Sequence, residues 1–119
     1  MGNPFVHVEL NTNDVPKAKA FYGKLFDWQF DDVQMPDMTY TIIKVGEGTG
    51  GGMLQWPGPG MPAMWVPYML VADIKAATAK AKSLGGKLMK DVTEVPNMGS
   101  FSIFTDPTGA VFALWEAKM

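Results

Sequence analysis

The sequence contains no cysteine and a single histidine. Without thiols it can build neither disulfides nor thiolate metal sites. One imidazole also rules out any metal centre that takes two histidines from the same subunit. No stretch approaches the roughly 18 uninterrupted apolar residues of a membrane span, so no membrane association is expected. Twelve acidic side chains against ten basic ones give a net charge of −2, which leaves no positive footprint for nucleic acid. The start, Met1-Gly2-Asn3-Pro4, has neither the basic nor the apolar region of a secretory signal, and Val6 stands where a myristoylation motif wants serine or threonine. These absences predict a cytoplasmic protein. The rest reads as globular: at 47% hydrophobic and 18% charged, 119 residues suit one domain with one sizeable core.

Phe5 to Leu10 alternates as a strand does. Asn11-Thr12-Asn13-Asp14 then offers helix-capping side chains, and Pro16 falls in a first turn, where its missing N–H costs little. Ala18, Phe21, Tyr22, Leu25 and Phe26 recur at helical spacing, predicting a helix over Val15 to Leu25. Strands are expected at Trp28 to Phe30, Tyr40 to Val45 and Met53 to Trp56. Gly50-Gly51-Gly52 lacks the strand–helix setting and the Gly-Lys-Ser/Thr of a phosphate loop, so it reads as a loop or bulge where backbones approach closely. Three prolines and two glycines between Trp56 and Pro62 mark the connection, 57–62, between two halves. The second half repeats the order: a strand at Val66 to Val71, a cap at Asp73, a helix over Ile74 to Leu84, and Gly85-Gly86 as its stop. Strands at Lys87 to Met89, Phe101 to Thr105 and Ala110 to Glu116 complete it, with a turn at Asp106-Pro107-Thr108-Gly109.

A constant offset of 59 carries Asp14 to Asp73, Leu25 to Leu84, Gly50 to Gly109 and Trp56 to Trp115, as an internal duplication would. The chain is expected to be a single domain, 1–119, with modules at about 5–56 and 65–116.

The opening strand with His7, the run Asp14-Val-Pro-Lys-Ala-Lys-Ala-Phe-Tyr-Gly-Lys-Leu-Phe-Asp-Trp28, the stop at Leu84-Gly-Gly86, and Asp106-Pro-Thr-Gly-Ala-Val-Phe-Ala-Leu-Trp115 together resemble the vicinal-oxygen-chelate superfamily. This is the glyoxalase, bleomycin-resistance and dioxygenase group. The resemblance implies an α+β fold: two βαβββ modules whose mixed sheet curves into a cup, helices outside, ligand on the concave face. It also implies a homodimer and a small-molecule ligand.

In such proteins a divalent metal is held by one residue from the first and one from the last strand of each module. The matching positions here are His7, Val66, Ala113 and, by the offset of 59, Leu54. Three of the four have no lone pair to give, while a cation held by imidazole and carboxylate needs about three protein donors at roughly 2.0–2.2 Å. No metal ligands are therefore assigned and no cofactor is expected; a divalent metal enters only through donors shared across a dimer. Gln55, one residue after Leu54, and Glu116, three after Ala113, fall on the opposite face.

Strand parity sets His7 and Glu9 on one face of the first strand, with Tyr68 and Trp115 on the corresponding face of the second half. These four, with Met53, are the expected ligand contacts, and Glu9 and His7 are the candidate catalytic bases. Each has a plainer reading too: His7 as hydrogen-bonded structure, Glu9 as a solvated or lysine-paired carboxylate, Tyr68 and Trp115 as core aromatics. Among the ten methionines, Met35, Met38, Met61, Met64 and Met98 fall in loops and suit a permissive pocket or a dimer seam, whereas Met69 and Met89 read as core. Three functions follow: a metal-free binder of a small, largely apolar organic ligand; a glyoxalase-type lyase or isomerase acting on a small carbonyl compound or thiol adduct; or an interaction module with a filled cavity.

Overall fold

A computed structural model of the chain describes residues 2–36, 38–55 and 62–118. Trp56, the proposed partner of Trp115, and most of the Pro/Gly connection lie outside the described residues. The chain divides into two compact units, one of residues 7–66 and one joining residues 2–6 to 67–118. The element order is β1 (Phe5–Thr12), α1 (Val15–Leu25), β2 (Gln29–Gln34), β3 (Thr39–Lys44), β4 (Gly51–Gln55), β5 (Met64–Leu70), α2 (Ile74–Ser83), β6 (Lys87–Val95), β7 (Gly99–Thr105) and β8 (Val111–Ala117). This is the expected α+β class, with strand–helix–three strands occurring twice.

In the first unit the strands run in the order β2-β3-β4-β1, with β1 and β4 parallel and the other pairs antiparallel. In the second the order is β5-β8-β7-β6, with β5 and β8 parallel. Leu10, Ile43 and Met53 form the first core beneath Val15, Ala18 and Tyr22 of α1. Ile74, Phe104 and Leu114 form the second, with Ala77 and Ala81 of α2 packed on it.

The two helices start alike. Asp14 accepts the amide of Lys17 at 3.1 Å, and Asp73 accepts those of Lys75 and Ala76, each at 3.1 Å. The last strand of each unit then reaches its own helix: Gln55 Oε1 accepts the Val15 amide at 3.4 Å and Glu116 Oε1 the Ile74 amide at 2.7 Å. These bonds satisfy N-terminal amides that no helical carbonyl can. Gln55 and Glu116 thus face the helices, as strand alternation requires.

The sequence offset needs a correction. It is 59 for the first strand and helix but 61 for the last strand, because Leu10 pairs with Met53 as Met69 pairs with Leu114. Gly48, not Gly50, is accordingly the counterpart of Gly109; the two have φ of 99° and 95°.

Several strands also run longer than expected: β1 ends at Thr12, β5 begins at Met64 and β7 at Gly99, and three others differ for physical reasons. Strand β2 continues to Gln34, and β6 to Val95 through two register shifts; both are outer strands of their units, rich in exposed polar side chains that give no apolar alternation. Strand β4 begins at Gly51, so Gly51 and Gly52 belong to the sheet and the expected close approach of backbones occurs within it. The reason is steric: a Cβ at residue 51 would overlap the carbonyl oxygen of Val8 on β1. Gly51→Ala is therefore expected to lower unfolding stability by about 2 kcal/mol or more, as backbone-clash substitutions do. Urea denaturation of the variant measures the loss, and an unchanged midpoint would refute the close β1–β4 approach.

Candidate functional site

Leu10 belongs to the core under α1, so alternation turns His7, Glu9 and Asn11 to the other face of β1. On β3, Ile43 lies in the same core, which turns Tyr40 and Ile42 the same way as Glu9. Strand β4 runs between β1 and β3, and Gly52 is the residue in register with both Glu9 and Ile42. Two strand spacings, about 10 Å in all, separate β1 from β3. A tyrosine can reach across only if the strand between presents no side chain. Gly52 meets that condition: a Cβ there would coincide with the Tyr40 hydroxyl.

The phenol consequently joins the two expected residues of β1. Its hydroxyl lies 2.7 Å from His7 Nε2 and donates to Glu9 Oε2 at 3.0 Å. Because that hydroxyl spends its one hydrogen on Glu9, His7 can bond to it only by donating, which places the imidazole hydrogen on Nε2. The imidazole and phenol rings lie nearly parallel, 23° apart. Burial holds the His7 imidazole below its ordinary value, favouring the neutral ring that this arrangement uses. The result is a directed chain from His7 N–H through Tyr40 O–H to a carboxylate that is only 6% exposed.

Tyr40 escaped the sequence reading, although a strand tyrosine facing a glycine one strand away is the pattern that marks it. Met53 requires the opposite correction. It pairs with Leu10 on the helix side and is fully buried in the first core, so it does not lie on the face that carries His7 and Glu9. In the second unit Tyr68 is buried, stands opposite Ala113, and has its ring 6.2 Å from that of Phe101. Trp115, half-buried, pairs with Leu70 and Phe101. Both sit on the face turned away from Leu114 and Phe104, which lie in the core under α2.

A groove of about 890 Å³ opens on the helix side of the first unit, lined by Val15, Lys19, Asp32, Thr41 and Gln55 among others. Of the residues singled out in the sequence it holds Met38 and Leu54, but none of His7, Glu9, Met53, Tyr68 and Trp115. Its charges already satisfy one another: Thr41 donates to Asp32 at 2.7 Å and Lys19 reaches it at 3.1 Å, which together hold the Asp32 carboxyl below the usual range. Such a groove has little polar capacity left for a ligand.

The residues present do not fit a resident divalent cation. With the corrected register, Gly52 and not Leu54 is the counterpart of Ala113. The four positions are then His7, Gly52, Val66 and Ala113, and His7 Nε2 is already committed to Tyr40. No three His, Asp or Glu side chains gather among the described residues.

Burial of a neutral His7 has a consequence for stability. Just below pH 6.5, the ordinary value for histidine, the unfolded chain binds a proton that the folded chain does not. Stability therefore falls as pH drops through that value and levels once the folded imidazole also protonates. His7→Gln is expected to remove this step from urea midpoints measured between about pH 7.5 and about pH 5.5. An acid slope unchanged in the variant would place its source elsewhere.

The model of the Glyoxalase/Bleomycin resistance protein/Dioxygenase superfamily matches residues 5–114. A Mycobacterium tuberculosis protein provisionally named glyoxylase CFP32 is 36% identical over 93% of this chain and 44% of its own length. The anthracycline biosynthesis protein DnrV of Streptomyces peucetius is 30% identical over 91% of this chain and 45% of its own. The chain thus spans less than half the length of these curated relatives. Among solved structures, the Bacillus halodurans hypothetical protein BH1468 superposes with a TM-score of 0.74 at 14% identity, covering 100% of this chain and 97% of that one. Methylmalonyl-CoA epimerase from Mycobacterium tuberculosis superposes with a TM-score of 0.72 at 14% identity, covering 97% and 88%. At such identities the structures speak for the fold alone. Fold, repeated modules and matched residues agree: the chain belongs to the Glyoxalase/Bleomycin resistance protein/Dioxygenase superfamily.

Proposed function

We propose that the protein binds a small, largely apolar organic ligand over the face of β1 that carries His7 and Glu9, without a catalytic metal. The observation that carries this reading is the His7–Tyr40–Glu9 chain, built across a glycine in a sheet face where Ile42 and Leu54 supply apolar surface. Sites for small organic molecules pair apolar walls with a few fixed polar groups. Tyr68 and Trp115 hold the corresponding face of the second unit and are proposed as ligand contacts of that unit by itself. The name of the DnrV relative, which refers to anthracycline biosynthesis, supports an aromatic ligand with oxygen substituents. A homodimer in the cytoplasm is the proposed assembly and compartment.

A second reading rests on Glu9 itself. A buried carboxylate held by a phenol is suited to removing a carbon-bound proton, and the provisional glyoxylase name of the CFP32 relative points the same way. A metal-free lyase or isomerase acting on a small carbonyl compound or thiol adduct would use Glu9 as base, with His7 and Tyr40 fixing the carboxylate. In an isomerisation the proton moves from a substrate carbon to Glu9 and returns to another atom of the substrate; in an elimination the C–H pair forms the new double bond and Glu9 passes the proton to the departing thiolate or oxygen.

Metal content after incubation with nickel, zinc, iron and manganese, followed by dialysis, is expected to stay well below one ion per chain. Stoichiometric retention lost in His7→Ala would overturn the metal-free reading. Thermal-shift screening with small aromatic and carbonyl compounds is expected to raise the melting temperature, and Tyr40→Phe to weaken the best compound about five- to tenfold. A panel in which nothing shifts the wild type would instead favour the filled interaction module. Turnover abolished by Glu9→Gln with binding retained would select the enzyme over the binder.

A further inference from the structure

We infer that Asn11 is a ligand anchor, its side-chain carbonyl accepting a hydrogen bond from a hydroxyl or amide N–H of the bound molecule. Asn11 is only 2% exposed, and its Oδ1 is buried with no hydrogen-bond partner among the described residues. It lies two residues beyond Glu9 and four beyond His7, on the same face of β1, with Leu54 of β4 as its neighbour in register.

A buried acceptor left unpaired destabilises a fold, whereas a leucine of similar size would bury as well without that cost. The folded chain alone therefore gains nothing from a carbonyl at this place. A ligand that brings its own donor does. Strand geometry sets Asn11 about 6.6 Å along β1 from Glu9. The molecule would thus carry a donor roughly that far from the group meeting the Glu9–Tyr40 pair, a separation that a rigid fused-ring aromatic spans. This inference rests on the aromatic-ligand reading above and adds to it a second, separately testable polar contact.

The probes are 2-hydroxyanthraquinone, whose hydroxyl is too far from the quinone oxygens to bond internally, and 2-methoxyanthraquinone, which keeps the ring and loses the donor. Calorimetric titration of wild type is expected to favour the hydroxyl compound by about tenfold. Asn11→Ala is expected to bring the two affinities together. Asn11→Leu should do the same while raising the melting temperature of the ligand-free protein, an outcome that a purely structural asparagine would not give. Equal wild-type affinities for the two compounds, or a preference that survives in Asn11→Ala, would overturn the anchor and leave the binding reading standing. A melting temperature lowered in both variants would assign Asn11 to a structural or water-bonded role and also overturn it. Failure of both compounds to bind wild type would overturn the aromatic-ligand reading and the anchor with it.

Discussion

Two consecutive residues without side chains set the arrangement of the first unit. Gly51 lets β4 lie against the Val8 carbonyl of β1, and Gly52 leaves the opening through which Tyr40 reaches β1 from two strands away. With any larger residue at 51 the parallel pairing of β1 with β4 would have to open. With any larger residue at 52 the phenol would be displaced, and the bonds to His7 and Glu9 would go with it. Glycine in a strand is normally a weakness, since it adds backbone entropy and offers nothing to pack. Here the missing volume is what both the sheet and the polar chain use.

The same logic of a shared plan with local substitution runs through the repeat. In both units an aspartate caps the helix and a side chain from the last strand, Gln55 or Glu116, bonds the first helical amide. Where the first unit sets Glu9 beside Gly52, the second sets Tyr68 beside Ala113. One unit thus presents a polar strip, His7, Glu9 and Asn11, and the other presents Val66, Tyr68 and Leu70 on the same register. Duplication supplies the frame, and divergence along the faces turned from the helices gives the two units different chemistry.

Much of this frame was legible in the sequence because its signals are local. Asp14 and Asp73 announce helices through capping, Gly85 ends one by taking a positive φ, and the alternation of Phe5–Leu10 fixes which side chains share a face with His7. The outer strands β2 and β6 extend past what the sequence signals because Asp31, Asp32, Asp91 and Glu94 face solvent and carry no apolar period. The face of Met53 is not legible in the sequence, because a strand opening on two glycines shows no parity until its register with β1 is known. Tyr40 was missed for a related reason: its role depends on an absence at Gly52, a residue twelve positions away whose importance no periodicity records. The two-residue change of offset between first and last strands was invisible for want of strong landmarks between Lys44 and Gln55.

That change of offset alters how the family's metal positions should be understood in this chain. Read at a constant offset, the first-unit position is Leu54, and the donor is simply missing. Read from the strand register, it is Gly52, and the space a donor side chain would occupy is filled by the Tyr40 hydroxyl. A cation arriving there would have to expel the phenol, breaking its bonds to His7 and to buried Glu9. Each bond contributes about 1 kcal/mol net, and a buried carboxylate that loses its donor costs more than the bond itself. The absence of a donor at residue 52 and the hydrogen-bonded chain through Tyr40 are in this light one structural arrangement. Glycine at 52 without tyrosine at 40 would leave a hole, and tyrosine at 40 without glycine at 52 would clash, so the two residues make physical sense only as a pair.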